Sequence, residues 1–199
     1  MYNQWWDNGK KKFQFITNKD GIIDKYISWY ENGQKSSEGN YKNGKPVLCN
    51  SWDENGEITV KDGNGKDTFY DKNGKILQET LYSNYKEHGP FYNCYENCQK
   101  ESEGNYKNGE KDGLWIFWVD NGNKYLEINF KNGKKDGLYT EWYFNGHKKI
   151  EKGFKKGKSH GLFTEWGMNG NKFRESIWEN GTCINLKCWD ESGVEIDCD

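Results

Sequence analysis

The chain has 199 residues and a net charge of −2, and only 33% of its residues are hydrophobic although 17% are aromatic. Disordered chains are poor in aromatic residues, and a transmembrane helix needs a run of about 20 apolar residues that this sequence lacks. The small net charge gives no strong attraction to nucleic acid or to an anionic membrane surface. Composition therefore predicts a folded chain with an aromatic core, with no nucleic-acid partner and no membrane insertion.

The dominant feature of the sequence is a repeat of turns. Asn-Gly occurs twelve times, and between alternating apolar residues it predicts a β-hairpin with a type I′ turn. One set of turns begins at Asn8 and recurs at intervals of 24, 23, 18, 24, 24, 24, 24 and 23 residues. Each unit holds two short strands and a second turn, which leaves no room for a helix. We therefore predict an all-β fold: an elongated array of antiparallel β-hairpins in one twisted sheet, with eight to nine units of about 24 residues.

An aromatic column precedes these turns by three residues. Seven of the ten tryptophans occupy it. We interpret them as structural residues of the core: Trp5, Trp29, Trp52, Trp118, Trp142, Trp166 and Trp189. Tyr70 and Cys94 fill the two remaining positions of the column before Trp118.

The segment 56–90 is irregular. One interval between turns shrinks there to 18 residues, and the second turn reads Tyr-Lys-Glu-His-Gly-Pro. No Pro-rich or Ser-rich linker divides the chain. We therefore predict one continuous repeat array over 1–199, with 56–90 as an irregular or degenerate unit.

The strands that end in this aromatic column have two different faces. Leu114, Ile116 and Trp118 share one face by period-2 alternation, while Trp115 and Phe117 share the other. We expect the tryptophan column and its leucine companions to form the core. A one-layer sheet cannot bury both faces, so we expect the opposite aromatic stripe to remain partly exposed and to bind a partner. Its candidate binding residues are Trp115, Phe117, Tyr139, Tyr143, Phe163, Phe91, Tyr95 and Tyr26.

A glutamate column follows the first turns, with a lysine three residues earlier in most units, as in Lys124 and Glu127. Paired carboxylates for glycoside hydrolysis need a cleft, which a ladder repeated once per unit does not make. We interpret the lysines as charge partners of the glutamates across strands. Since the sequence also lacks nucleophile, phosphate-binding and dinucleotide motifs, we predict a protein that is not an enzyme and needs no cofactor or metal.

The six cysteines are even in number and lack the paired spacing of zinc ligands. We interpret them as possible disulfide residues: Cys188, Cys198, Cys183, Cys94, Cys98 and Cys49. If Ser192-Gly193 is a two-residue hairpin turn, Trp189 opposes Ile196, and Cys188 is a diagonal neighbour of Cys198, with Cys183 as the rival partner. In either case we predict a cysteine-clamped C-terminal cap over 183–198, which would protect an exposed edge strand.

Units such as Phe130-Lys-Asn-Gly-Lys-Lys-Asp-Gly-Leu-Tyr-Thr-Glu-Trp-Tyr-Phe-Asn-Gly146 resemble the bacterial MORN repeat variant family. The resemblance covers nearly the whole chain and lies in the spacing. It implies a twisted antiparallel sheet with no catalytic centre, used as a scaffold, a dimerisation surface or a lipid-binding surface. Bacterial members are often labelled antitoxin components. The chain departs from the pattern where Cys94 replaces the column tryptophan and Cys98 the turn glycine.

The leading hypothesis is a non-catalytic protein, exported or on the cell surface, that binds a protein partner or a second copy of itself through the aromatic face. The N-terminal residues lack the basic and apolar regions of a signal peptide, so this hypothesis treats the chain as a mature form. One alternative is a cytosolic antitoxin-like or scaffold protein with reduced thiols. A further alternative is a glycan-binding or glycan-acting protein.

Overall fold

In a computed structural model that describes residues 1–71 and 73–198, the chain forms 18 strands and no helix. The chain divides into two compact units, Met1–Gly89 and Pro90–Asp199. The division falls at the end of the irregular segment 56–90. The prediction of an all-β fold is confirmed, while the continuity of the array over 1–199 stays a prediction. The described residues include no helix of the length and apolarity that a membrane span requires.

The strands are short and follow one another closely. The N-terminal unit contains β1 Tyr2–Trp5, β2 Lys11–Thr17, β3 Ile23–Trp29, β4 Lys35–Lys42, β5 Lys45–Trp52, β6 Ile58–Lys61, β7 Asn64–Tyr70 and β8 Ile76–Ser83. The division falls within β9 Lys86–Cys94. The C-terminal unit contains β10 Lys100–Lys107, β11 Glu110–Trp118, β12 Lys124–Lys131, β13 Lys134–Trp142, β14 Lys148–Lys155, β15 Lys158–Trp166, β16 Lys172–Glu179, β17 Thr182–Trp189 and β18 Glu195–Ile196.

Consecutive strands pair in antiparallel fashion within each unit. The pairs run from β1 to β8 in the N-terminal unit. They run from β10 to β18 in the C-terminal unit. Each unit is therefore a meander of hairpins, as the spacing of the turns predicted.

Two kinds of turn connect the strands, whereas the sequence predicted type I′ throughout. Second turns such as Asn132-Gly133 do have positive φ at both central residues. At the first turns only the second central residue does: Gly122 has a φ of 86°, and Cys98, in the place of the glycine, has a φ of 66°. The Oδ1 of Asn121 accepts the Asn123 N–H at 2.9 Å. The type I′ prediction is wrong for these turns because their loops are longer than two residues and need the left-handed conformation only at that second residue.

In the C-terminal unit, a β-bulge lies beside each first turn that joins a strand ending in a column tryptophan to a strand beginning with a lysine. Trp118 pairs with Lys124 whereas Phe117 pairs with Leu126, so Tyr125 is an additional residue. An extra residue reverses the alternation of side chains along a strand. As a result Lys124 and Glu127, three residues apart, share a face and form an ion pair with a distance of 2.5 Å from Nζ to Oε1.

The core of each unit is thin and contains small polar residues. In the N-terminal unit Val60, Ser51 and Thr80 are at most 2% exposed, and the Ser51 and Thr59 hydroxyls lie 2.7 Å apart. In the C-terminal unit Trp115 is 1% and Ile128 6% exposed. A sheet of one layer has little interior to fill, which explains how the chain folds with so few leucine and valine residues.

The C-terminal hairpin carries a disulfide between Cys188 and Cys198, whose Cα atoms are 5.4 Å apart. The predicted register was wrong by one residue, because Cys188 and not Trp189 pairs with Ile196. The rival partner Cys183 lies outside this disulfide, as do Cys49 and Cys98. The shifted register brings Cys188 close enough to Cys198 to close the bond without distorting the strands.

Candidate functional site

The C-terminal unit presents two chemically different faces, because residues that oppose each other across a ladder lie on the same side of a sheet. One ladder row joins Trp115 to Ile128, Ile128 to Tyr139, Tyr139 to Lys152 and Lys152 to Phe163. We call this side the aromatic face. The other side carries Leu114, Leu138, Leu162 and Ile177, which we call the leucine row, and we call that side the leucine face.

Trp115 is the most buried side chain of the aromatic face, at 1% exposed. Its indole stacks on Phe91 and meets Tyr106 edge-on, with ring centroids 5.4 and 5.0 Å away. Its Nε1–H donates to the Asn105 carbonyl at 3.0 Å. The indole also lies against Gly104, where a Cβ would overlap the ring. Trp115 therefore belongs to the core and not to the accessible surface that the sequence predicts, because Gly104 leaves space for a large ring.

The leucine row is exposed, which reverses the expected assignment of the two faces. Leu114, Leu138 and Leu162 are 44, 49 and 53% exposed, and Ile177 is 42% exposed. Alternation along the strands was predicted correctly, but not which side would be covered. The aromatic rings are large enough to cover one another, whereas neighbouring leucines are separated by Asn129 and by Gly153.

Lysines cover the remaining aromatic face. The Lys152 ammonium lies 5.2 Å from the Tyr139 ring and 5.1 Å from the Phe163 ring. Burial and the nearby Lys135 lower the pKa of Lys152. The Tyr139 hydroxyl donates to Glu141 at 2.9 Å, and burial raises the pKa of Tyr139 to about 12. Tyr139, Phe163 and Phe117 are half-buried, and their contact with a partner stays a prediction.

Tyr95 and Tyr143 connect successive repeats. The Tyr95 hydroxyl donates to the carbonyl of Trp118 at 2.8 Å, and that of Tyr143 donates to the carbonyl of Trp166 at 2.9 Å. Tyr30 makes the same bond to the carbonyl of Trp52. These contacts recur in three repeats and account for the tyrosines without a ligand, so the role of Tyr95 and Tyr143 in binding stays a prediction. Tyr26 packs on Phe13 and Tyr41 within the N-terminal unit.

The turn asparagines also connect repeats, which the sequence analysis missed. The Nδ2 of Asn97 donates to the Asp120 carbonyl at 2.7 Å, and that of Asn145 donates to the Met168 carbonyl at 2.7 Å. The signal was present, since Asn precedes Gly at nearly every first turn. We assigned these asparagines only to the turn, although the amide group also has hydrogen-bonding capacity for a neighbouring loop.

The column tryptophans are half-buried except for Trp5, which lies on β1 and is 56% exposed. A lysine of the preceding repeat lies over the indole, as Lys124 does over Trp142 with its Nζ 4.3 Å from the ring centroid. The same lysine pairs with Glu127. The predicted charge partnership of the two columns is confirmed, but the pairs form along one strand and not between strands. The equivalent pairs are Lys35–Glu38, Lys100–Glu103, Lys148–Glu151 and Lys172–Glu175.

Three segments of the chain, residues 25–43, 64–84 and 111–132, match the family model described as MORN repeat variant. These three segments carry the MORN repeat pattern. The match at 64–84 lies inside the irregular segment 56–90. MORN repeats generally form a non-enzymatic family, and the comparison with curated proteins gave no match. In the part of the chain that the structure describes, no three His, Cys, Asp or Glu side chains form a group suited to a metal ion.

Proposed function

We propose that this MORN repeat protein is not an enzyme and acts by binding another protein through the leucine face of its C-terminal unit. The observation that carries the proposal is the exposure of the leucine row, whose four members are between 42 and 53% exposed. Leu114, Leu138 and Leu162 lie on alternate strands, about 10 Å apart. A row of exposed apolar side chains on one face of a sheet is typical of a protein-binding surface.

Charge indicates the chemistry of the partner. The second turns 131–134 and 155–158, which we call the basic turns, lie beside the leucine row and contain five exposed lysines. The lysines that flank the row on its other side are paired with glutamates, as in Lys148–Glu151. A second copy of this chain would place either its own basic turns or its lysine–glutamate pairs against the basic turns, and neither supplies a net negative charge. We therefore infer a different protein, with an apolar ridge bordered by aspartate or glutamate residues.

The location we propose is exported or on the cell surface. The Cys188–Cys198 disulfide supports an oxidising environment, because such bonds are rare in the reducing cytosol. The cytosolic antitoxin-like or scaffold alternative requires these two thiols to be reduced. No contact in the described residues favours the glycan alternative over a protein partner.

The test is selection of peptides from a random display library on the full chain. We expect enriched peptides in which apolar residues are flanked by Asp or Glu. The double change Leu138→Ser and Leu162→Ser should weaken the binding of the selected peptides by about tenfold or more. The control is Leu186→Ser, since Leu186 is 38% exposed but lies on the aromatic face, opposite Ser176.

Charge reversal tests the contribution of the basic turns separately. The pair Lys155→Glu and Lys158→Glu should weaken binding and reduce its dependence on salt. Lys42→Glu with Lys45→Glu, at the equivalent turn of the N-terminal unit, is the matched control. Peptides without acidic residues, or binding that survives the leucine changes, would contradict the proposal. So would a concentration-dependent dimer in sedimentation that the leucine changes abolish, because the occupant would then be a second copy.

A further inference from the structure

The N-terminal unit contains a cavity of about 330 Å³ between β2, β3, β4 and β7. This volume is within the range of sites for small molecules. Its lining combines aromatic rings with one carboxylate and several hydroxyl groups. The aromatic part includes Trp6, Phe13, Trp29, Tyr30 and Phe69, and the polar part includes Asp67 and Ser28.

Asp67 reaches the interior because of its place on β7. Val60, 0% exposed, pairs with Ser51 on one side and with Gly65 on the other. Asp67 is two residues beyond Gly65 and therefore lies on the same, covered face. Burial raises the pKa of Asp67, although hydrogen bonds from the Ser51 hydroxyl and the Thr68 backbone oppose the rise.

No lysine or arginine among the described residues forms an ion pair with Asp67. Other half-buried carboxylates of this chain do have such partners. Glu38 is paired with Lys35 and Glu141 with Lys149, and these hydrogen bonds outweigh burial so that both pKa values are lowered. A carboxylate removed from water without a counter-charge is costly. Asp67 therefore lacks a cation that the cavity has room to hold.

The aromatic walls suit the same kind of ligand. Indole and phenyl faces attract ammonium groups, most strongly where water is excluded. The wall formed by Trp6 already binds one, since the Lys12 ammonium lies 4.2 Å from that ring centroid. Lys12 is exposed and lines the cavity. It is a flexible side chain that an entering ligand can displace into solvent.

We propose that this cavity binds a small organic ammonium ion, with its charge beside Asp67 and its alkyl groups against the rings of Phe13, Trp29 and Phe69. Asp67 supplies the counter-charge and the rings supply cation–π contact. Lys12 occupies part of the same aromatic surface in the free protein and competes with the ligand. This site lies wholly within the N-terminal unit and is independent of the protein-binding role of the leucine face.

The test is calorimetric titration of the full chain with choline and with 3,3-dimethyl-1-butanol, which has the same shape but no charge. We expect choline to bind at least about tenfold more tightly, a difference of about 1.4 kcal/mol. Asp67→Asn should remove this preference, and Phe69→Ala should weaken choline binding. Asp24→Asn is the matched control, because Asp24 is exposed and does not line the cavity.

The opposite results would overturn the proposal. Equal affinity for the two compounds would mean an apolar pocket without charge recognition. Unchanged choline binding in Asp67→Asn would show that the carboxylate takes no part in binding. No binding at about 10 mM choline would show that the cavity is not a site for such ligands. Lys12→Gln is expected to strengthen choline binding. If it weakens binding instead, Lys12 holds an anionic group of the ligand and the assignment to a simple ammonium ion fails.

Discussion

At Trp115, packing and hydrogen bonding act on the same side chain. The ring stacks on Phe91, the Nε1–H bonds to the Asn105 carbonyl, and the indole is 1% exposed. Leu138, on the opposite face of the same unit, is 49% exposed. The two residues therefore differ in their expected contribution to the free energy of unfolding.

Trp115→Ala should lower the free energy of unfolding by about 3–5 kcal/mol, because it removes a buried ring and leaves a cavity. Leu138→Ala should cost about 1 kcal/mol or less, since half of that side chain already contacts water. Urea denaturation of both variants measures the difference. Equal losses would contradict the assignment of the core to the aromatic face.

Asp67 should make stability depend on pH. Because burial raises its pKa, the folded chain binds the proton more tightly than the unfolded chain. The resulting stabilisation is complete below the unfolded pKa, about 3.9, and is lost as pH rises through the higher folded pKa. Asp67→Asn should therefore become more stable relative to the wild type as the pH is raised toward 7.

Thermal unfolding between about pH 4 and pH 7 measures this dependence. Asp24→Asn, at an exposed position, should follow the wild type over the whole range. A stability difference between Asp67→Asn and the wild type that does not change with pH would contradict the assignment of the effect to titration of Asp67.

At the scale of the strand and turn, the repeats are joined by the loops as well as by the ladders. The Tyr143 hydroxyl and the Asn145 amide both donate to carbonyls of the next repeat, those of Trp166 and Met168. These two bonds belong to one first turn. They explain why an aromatic hydroxyl and an asparagine recur there: each satisfies a backbone acceptor of a loop that has few partners of its own.

Tyr143→Phe should lower the free energy of unfolding by about 1 kcal/mol, because the Trp166 carbonyl loses its donor while the ring remains. Tyr125→Phe is the control. Tyr125 is 37% exposed and contacts Phe117 through its ring, so loss of its hydroxyl should change stability little. A loss for Tyr125→Phe as large as that for Tyr143→Phe would show that the bond between repeats is not the cause.

At the scale of the whole molecule, the two units offer different chemistry. The N-terminal unit contains a cavity lined by a carboxylate that has no ion-pair partner among the described residues. The C-terminal unit presents the leucine face and the basic turns, and its last hairpin is closed by the Cys188–Cys198 disulfide. The proposals for binding are therefore separable by unit, and variants in one unit serve as controls for the other.

The disulfide should stabilise the C-terminal unit. A bond that closes a loop with a sequence separation of 10 residues is expected to contribute about 3 kcal/mol. Cys198→Ser should lower the unfolding free energy by that amount. Alkylation followed by intact-mass measurement checks the bond itself: Cys188 and Cys198 should become labelled only after reduction. Labelling of both without reductant, in protein from its native source, would favour the cytosolic alternative.

The sequence by itself determined the all-β fold, the period and the two faces of β11. These features follow from local rules: turn residues at fixed intervals and side-chain alternation. The lysine and glutamate columns were expected to pair across strands, but the β-bulge brings them together along one strand. The two cysteines of the C-terminal hairpin were likewise among the candidates. The choice of Cys188 over Cys183 as the partner of Cys198, and the one-residue register at Cys188, came from the structure.

Tertiary structure decided which face is covered and where a cavity forms. Trp115 is buried because Gly104 leaves space beneath its ring, and Leu138 is exposed because Asn129 and Gly153 separate the leucines from one another. Asp67 on β7 lines one cavity with Phe13 on β2. Such contacts join strands far apart in the chain, and they depend on how each sheet curves. Hydrophobic periodicity reports only which side chains share a face, not which face is covered.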